Sequence, residues 1–243
     1  MKIILVVFSF YYLLLEPVFG YLFFRQFTKR LSADPGYRLH YYKRALLFSW
    51  LPAGIIGIII LFWRVPAADV GISWIKLNDS IFGKWGIYGI LIAFGLLFIL
   101  YIYQIIMAKA SVTYRNKLAS IKLPSEVGMM LPHTEKERKY WLFIATSAGL
   151  IEELVYRGFL IYLLLSLFPG LHIYLYILIS SILFGMAHTY QGPAGVLKTG
   201  TAGLLFSLVY VCTGSLLPGM MLHFIMDYAA KDIGTDKSIQ AAG

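Results

Sequence analysis

The stretch WLFIATSAGLIEELVYRGFLIYLLLSLF, residues 141–168, decides the fold class. It is long enough to cross a bilayer as an α-helix, because such a span needs about 20 mainly apolar residues. Glu152, Glu153 and Arg157 interrupt its apolar run. Charged side chains inside a span are costly and usually face a protein interior or a cavity. The stretch therefore predicts an all-α membrane protein with a functional site inside the helix bundle.

The composition of the whole chain also indicates a membrane protein. Of its 243 residues, 59% are hydrophobic and 14% are charged, against roughly 45–50% and 25% in soluble domains. The net charge of +9 does not indicate a nucleic-acid partner, because basic residues of membrane proteins collect in cytoplasmic loops and contact anionic lipids. Cys212 is the only cysteine, which excludes an intrachain disulfide and a cysteine-based metal site. We predict one membrane domain over residues 1–243, in contact with membrane lipids.

Six further apolar segments predict a polytopic transmembrane bundle of about seven helices, with the site among the last four. The last three segments are short or contain Gly and Pro, which favours packing against neighbouring helices over exposure to lipid. The start of the chain is also compatible with a signal peptide that is cleaved near Gly20. The six segments are Ile3–Phe24, Ala45–Trp63, Ile87–Ala108, Ile173–His188, Thr199–Thr213 and Leu216–Ala230.

The distribution of Lys and Arg predicts the orientation. Two connections, residues 25–44 and 109–139, contain 13 of the 21 Lys and Arg residues. Two predicted helices separate them, so both lie on one side, which the positive-inside rule makes cytoplasmic. We therefore predict a multi-pass protein of the cell membrane with its N-terminus outside. Thr134 and Glu137 fit a capping box, so the fourth helix is expected to begin near Glu135 and to enter the membrane around Trp141.

Helical spacing separates the charged residues of the fourth span. Glu153 and Arg157 are four residues apart and share a face, so they can pair. Glu152 lies about 100° round the helix from Glu153, so we expect its carboxylate to stay free to act as a general acid or base. His223 and Asp227, in the seventh span, are again four residues apart and face one way.

The depths of these residues are compatible with one shared site. Glu152 lies about 16 Å along the fourth helix from Trp141, and the fifth and seventh helices run in the opposite direction. His188 ends the fifth span and follows Phe184 by four residues, so both side chains point to one side. We expect the three groups to meet in the cytoplasmic half of the bilayer. Glu16 falls towards the same leaflet, but nothing in the sequence ties it to the others.

Two chemistries fit these residues. In the first, Glu152 and His188 activate a water that attacks a carbonyl, and His223 with Asp227 stabilises the oxyanion without a metal. In the second, the histidines and carboxylates bind a divalent metal such as zinc, which lowers the pKa of a bound water. The spacing of the residues does not select between them.

Three short motifs resemble those of a known family. EELVYR, residues 152–157, resembles the EExxxR motif of the CPBP family, which comprises the CAAX prenyl proteases and bacteriocin-processing enzymes and is also called the Abi family. FGMAH, residues 184–188, resembles its FxxxH motif, and HFIMD, residues 223–227, resembles its HxxxN or HxxxD motif. All three occur in the family order within about the last hundred residues. The resemblance assigns the catalytic core to residues 141–230 and the N-terminal helices and cytoplasmic loops to residues 1–140.

The resemblance implies an intramembrane endopeptidase whose site opens to the cytoplasm. Glu152 would be the general base, His188 would help to hold the water, and His223 with residue 227 would form the oxyanion hole. Glu153 and Arg157 would support the site. A glutamate-type peptidase without a metal cofactor is the favoured mechanism. The predicted contact with substrate falls on Phe184, which is expected to pack against the polar pocket.

One position departs from the eukaryotic CAAX enzymes, which have Asn where this chain has Asp227. Asn always offers N–H donors, whereas Asp donates only when it is protonated. The departure puts the oxyanion role of residue 227 in question and makes metal ligation somewhat more plausible.

The expected substrate is a peptide, either prenylated or simply hydrophobic. One alternative is a non-enzymatic bacteriocin self-immunity or scaffold protein of the membrane, which would use the same polar cleft for binding. Another is a small transporter or proton relay, which also requires intramembrane acids.

Overall fold

A computed structural model describes residues 16–234, and within this range the chain is helical and contains no strand. The predicted all-α fold class is therefore confirmed. A π-helical turn, Leu154–Phe159, joins α6 to α7, and short 3-10 turns occupy Ala67–Val70 and Thr189–Gln191. The α-helices are α1 Glu16–Ala33, α2 Tyr37–Trp63, α3 Gly83–Ala110, α4 Val112–Ala119, α5 Ser125–Met130, α6 Glu135–Glu153, α7 Leu160–Leu167, α8 Ile173–Ala187, α9 Gly192–Thr213 and α10 Leu217–Ala230.

In the described part of the chain, three helical stretches are long and apolar enough to cross a membrane, namely α2, α3 and residues 189–213. Among the described residues, the fully buried side chains of helix α3 are Ile87 and Ala108, and its exposed apolar side chains form a face that is available to lipid. The other predicted spans correspond to α1, α6 with α7, α8 and α10, which are shorter or contain charged residues. The number of seven spans stays a prediction. Most of the predicted first span, and the alternative signal peptide, lie outside the described residues.

The first basic connection is helical, contrary to the expectation of a loop over residues 25–44. Helix α1 continues to Ala33 and α2 begins at Tyr37, so only three residues connect them. Lys and Arg are good helix formers, and the break falls at Asp34-Pro35-Gly36, where Pro and Gly favour a turn. Basic side chains at this end therefore project from two ordered helices.

The sixth predicted helix begins earlier than expected. The predicted span begins at Thr199, after a connection over residues 189–198, but α9 begins at Gly192. Pro193 lies in its first turn, where a missing N–H costs nothing because that donor has no partner inside the helix. The prediction of a loop here is therefore wrong.

The start of α6 confirms the predicted capping box. The Thr134 hydroxyl accepts a hydrogen bond from the Glu137 backbone N–H at 3.2 Å, and Glu137 Oε2 accepts one from the Thr134 N–H at 2.9 Å. Glu137 is buried and also lies 3.2 Å from the Arg38 guanidinium of α2. One carboxylate therefore fixes the beginning of α6 and joins it to α2.

Helix α6 is central, with α2 on one side and α10 on the other. Its approach to α10 is close at Gly149, where a Cβ atom would lie 2.9 Å from the Phe224 backbone nitrogen. At the predicted cytoplasmic end, the Trp141 indole donates to the Asp227 carbonyl at 2.8 Å. These contacts keep residues 152 and 227 close in space, although the two residues are far apart in sequence.

The segment between α2 and α3 covers the opposite end of the bundle. The Lys76 N–H donates to the Thr213 carbonyl at 2.8 Å, and the Leu216 N–H donates to the Gly71 carbonyl at 3.0 Å. Because the segment satisfies backbone groups at the end of α9 and the beginning of α10, it fixes both helices at this end.

Candidate active site

Three helical segments bring the six predicted polar residues together. Glu152 and Glu153 end α6, and Arg157 lies in the π-helical turn that follows. His188 directly follows α8, whereas His223 and Asp227 lie on α10. Single π-helical turns within α-helices occur frequently at functional sites, and here the turn contains the second half of the EELVYR motif.

A buried layer of the site is built around one carboxylate oxygen. Glu153 Oε1 lies 2.9 Å from Arg157 Nη1 and 2.9 Å from His223 Nδ1. The Glu153 side chain is 1% exposed and that of Arg157 is 0% exposed. The predicted Glu153–Arg157 pair is therefore present, and it also holds a histidine that the sequence did not connect to it.

Two aromatic rings enclose the Arg157 guanidinium. Its central carbon lies 4.1 Å from the centre of the Phe184 ring and 5.2 Å from that of Phe206. The rings can supply cation–π stabilisation to this buried charge, which pairs with Glu153. Phe206 also stacks on His223 at 5.6 Å. Sequence reasoning missed Phe206, because no motif distinguishes it among the many aromatic residues of the spans.

A more accessible layer contains Glu152 and Asp227, whose side chains are 32% and 35% exposed. Glu152 Oε2 lies 3.8 Å from Nε2 of both His188 and His223. It is a buried atom with no hydrogen-bond partner among the described residues. The geometry thus agrees with the spacing argument that Glu152 is the unpaired carboxylate within reach of both histidines. Asp227 Oδ2 lies 3.7 Å from His223 Nε2.

Hydrogen bonds to the Nδ1 atoms orient both imidazole rings. His188 Nδ1 lies 2.8 Å from the Phe184 carbonyl, which can only accept, so Nδ1 carries the proton in this contact. The His188 Nε2 atom then directs a lone pair towards Glu152. His223 Nδ1 likewise faces the Glu153 carboxylate, and its Nε2 atom is directed towards the accessible layer.

Phe184 is buried and lies beneath the polar residues. Its ring is 4.8 Å from the His188 ring and 5.2 Å from the Tyr156 ring. The expectation that Phe184 packs against the polar pocket agrees with these contacts. Its predicted contact with substrate stays a prediction.

Glu16 is tied to the site, contrary to the sequence-based expectation. The Tyr156 hydroxyl donates a 3.0 Å hydrogen bond to Glu16 Oε2. Tyr156 lies within the EELVYR motif, and its ring contacts Phe184. No spacing rule could link residues 140 positions apart, so this contact depends on the packing of α1 against the catalytic segment.

The ligand types present were also tested for a metal centre. Within residues 16–234, no group of three or more His, Cys, Asp and Glu side chains has an arrangement that could hold a metal ion. Glu153, one of the nearest carboxylates, is already bound to Arg157 and His223. Metal dependence stays a prediction.

Comparison with known proteins identifies the segment that carries these residues. Residues 135–229 match the family model described as type II CAAX prenyl endopeptidase Rce1-like. This segment is Rce1-like. The match agrees with the resemblance of the three motifs to the CPBP family, and the Rce1-like segment includes all six polar residues. Searches of curated proteins and of solved structures found no match.

The Rce1-like family indicates a peptidase in a membrane setting that acts on a peptide substrate. The match begins at the first residue of α6 and ends within α10. Helices α1 to α5 lie outside it, so the division into residues 1–140 and 141–230 stays a prediction.

Proposed function

We propose that this protein is an intramembrane endopeptidase of the glutamate type, which cleaves a peptide bond near the cytoplasmic face of the cell membrane. The observation that carries the proposal is the buried Glu152 Oε2 atom, which has no hydrogen-bond partner within residues 16–234 and lies 3.8 Å from Nε2 of two histidines. A buried polar oxygen that lacks a hydrogen-bond partner costs folding free energy, so we infer that it has a role in catalysis. General base catalysis on a water is the use that this geometry supports best.

Glu152 and His188 would activate the water. Since His188 donates from Nδ1 to the Phe184 carbonyl, its Nε2 atom is an acceptor. A water between His188 Nε2 and Glu152 Oε2 can donate to both atoms. Glu152 takes the proton as the water oxygen forms a bond to the carbonyl carbon of the substrate.

His223 and Asp227 would stabilise the tetrahedral intermediate. In its doubly protonated form, His223 donates from Nδ1 to Glu153 and from Nε2 to the oxyanion. A protonated Asp227, whose Oδ2 lies 3.7 Å from His223 Nε2, would supply a second donor. Donors aimed at a developing oxyanion in a site with little water are worth more than in bulk water.

The tetrahedral intermediate then breaks down without the help of any additional side chain. The oxyanion reforms the carbonyl, the carbon–nitrogen bond breaks, and Glu152 returns its proton to the leaving amine. Glu153 and Arg157 contact neither substrate nor water in this scheme. They position His223 by means of the 2.9 Å contact between Glu153 Oε1 and His223 Nδ1.

The membrane setting and the apolar helices favour a hydrophobic or prenylated peptide as substrate. The basic residues on α1 and α2, and in the connection before α6, support an opening towards the cytoplasm through the positive-inside rule.

The test is peptide cleavage in proteoliposomes by the wild-type protein and by Glu152→Gln and His188→Ala. Both variants are expected to lose at least 100-fold in rate, because each removes a group that activates the water. Glu126→Gln, which changes a partly exposed carboxylate on α5, outside the six site residues, is the matched control and should cleave normally. Normal cleavage by Glu152→Gln would overturn the assignment and favour the non-enzymatic alternative. The rate of cleavage after treatment with a chelator tests separately whether the activity depends on a metal.

A further inference from the structure

A cleft of about 740 Å³ lies between α1 and α2. Tyr190, in the 3-10 turn before α9, lines the cleft, and its ring lies 5.7 Å from that of His188. The long walls are apolar and consist mainly of Phe19, Leu22, Phe23, Phe48, Leu51 and Pro52. The cleft therefore offers an apolar path that ends beside the groups assigned to water activation.

Glu16 lies at the inner end of this cleft. It accepts a 3.0 Å hydrogen bond from the Tyr156 hydroxyl, and no Lys, Arg or His side chain of residues 16–234 is within ion-pair distance of it. Glu152 lies near enough for electrostatic repulsion. A carboxylate between apolar walls is costly without a cation, so the inner end is suited to a cationic group.

Arg44 lies towards the other end of the cleft. Its guanidinium packs on the rings of Phe23 and Phe48, with distances of 5.0 Å and 6.0 Å to the ring centres. Within the described range no carboxylate pairs with it. Since α1 and α2 run antiparallel, Glu16 and Arg44 place opposite charges at the two ends of one apolar channel.

We propose that the cleft binds an apolar peptide segment whose basic side chain pairs with Glu16 and whose acidic side chain pairs with Arg44. Arg44 packs on Phe23, which is seven residues along α1 from Glu16, or about 10 Å at ~1.5 Å per helical residue. An extended peptide advances about 3.3 Å per residue, so the basic and acidic residues are about three positions apart. This proposal rests on the proposed endopeptidase function and names the substrate feature that the site selects.

The basic residue would lie next to the bond that is cleaved. Tyr156 connects Glu16 to the catalytic segment, and its ring lies 5.2 Å from that of Phe184. The Phe184 carbonyl in turn orients His188 at 2.8 Å. Glu16 is thus a specificity-determining residue at the end of the channel closest to the water that attacks.

Binding tests the proposal independently of turnover. The full-length Glu152→Gln protein in nanodiscs is titrated with fluorescent apolar peptides that carry either Lys or uncharged norleucine at one position, with Glu three residues away. The Lys peptide is expected to bind at least tenfold more tightly. Adding Glu16→Gln should reduce the Lys-to-norleucine ratio to about one, and Glu16→Lys should invert the preference when the peptide carries Glu at that position.

Two controls separate recognition from folding. Tyr156→Phe removes the hydrogen bond to Glu16 but keeps its charge, so it should preserve the preference for Lys. Arg44→Gln should weaken the binding only of peptides that carry the acidic residue. An unchanged Lys-to-norleucine binding ratio in Glu16→Gln would overturn this binding proposal. The endopeptidase function would still be supported in that case if the wild-type protein cleaves the peptide and Glu152→Gln does not.

Discussion

Glu153 Oε1 lies 2.9 Å from His223 Nδ1, so the carboxylate that pairs with Arg157 also orients a histidine of the accessible layer. Two adjacent glutamates thereby have different tasks. Glu153 is buried and its Oε1 atom contacts both Arg157 and His223, whereas Glu152 Oε2 has no hydrogen-bond partner within residues 16–234. The difference arises because adjacent residues on a helix face directions about 100° apart.

Replacing Glu153 by Gln is expected to destabilise the fold as well as the site. The change leaves the buried Arg157 guanidinium uncompensated, which typically costs about 3–5 kcal/mol. The double variant Glu153→Gln with Arg157→Leu removes the unpaired charge and should recover much of that stability. It should not recover cleavage, because His223 still lacks its orienting carboxylate. Reversible unfolding in mixed micelles measures the first effect and peptide cleavage the second; recovered cleavage would contradict the positioning role.

The Asp227→Asn variant tests whether residue 227 acts as a hydrogen-bond donor to the oxyanion or must carry a negative charge. The amide always offers N–H donors, so we expect cleavage to be kept or increased, whereas Asp227→Ala should lower it about 100-fold. The measurement is the rate of peptide cleavage across pH. If Asn is as damaging as Ala, the carboxylate itself is needed, and metal ligation becomes the better explanation.

Gly203→Ala should displace both the Phe184 ring and the Arg157 guanidinium. A Cβ atom there would lie 2.9 Å from Phe184 Cδ1 and 3.0 Å from Arg157 Nη2. Overpacking of this kind costs about 1–3 kcal/mol, and cleavage should fall as the Arg157 side chain is displaced. Gly89→Ala, on α3 with no atom within 4 Å of the new methyl group, is the control and should be neutral or slightly stabilising in thermal unfolding. Equal stability of the two variants would contradict the tight packing around Arg157.

His133, in the connection before α6, should make the fold sensitive to acid. Burial, and then the nearby Arg38 guanidinium, lowers the pKa of His133 below its ordinary value, which is about 6.5. Below about pH 6.5 the unfolded chain therefore binds a proton that the folded chain does not, so stability falls as the pH decreases and levels off below the folded pKa. His133→Gln should flatten this part of a thermal-unfolding curve measured between pH 7.5 and 5. Parallel curves for the two proteins would refute the assignment.

Much of the candidate site could be predicted from residue spacing. The pairing of Glu153 with Arg157 follows from their four-residue separation on a helix, and so does the shared face of His223 and Asp227. The helix start at Glu135 followed from the capping pattern, because that pattern depends on residues three positions apart. Local rules were sufficient for these features because each one lies within one or two turns of a helix.

Features that join distant segments could not be predicted in this way. The Tyr156–Glu16 hydrogen bond joins residues 140 positions apart, and the stacking of Phe206 on His223 joins α9 to α10. The early start of α9 was missed for a related reason, since Gly and Pro favour a loop unless a helix begins at that point.

The sequence by itself determined an all-α membrane protein, the identity of its charged intramembrane residues and which of them share a helix face. These follow from composition and from the helical repeat, which are properties of single segments. The tertiary structure alone decided that His223 hydrogen bonds to Glu153 while Glu152 Oε2 has no hydrogen-bond partner among the described residues, and that Glu16 lies beside the site. Both outcomes depend on the distances between separate helices, and those distances are set by side-chain packing over the whole bundle.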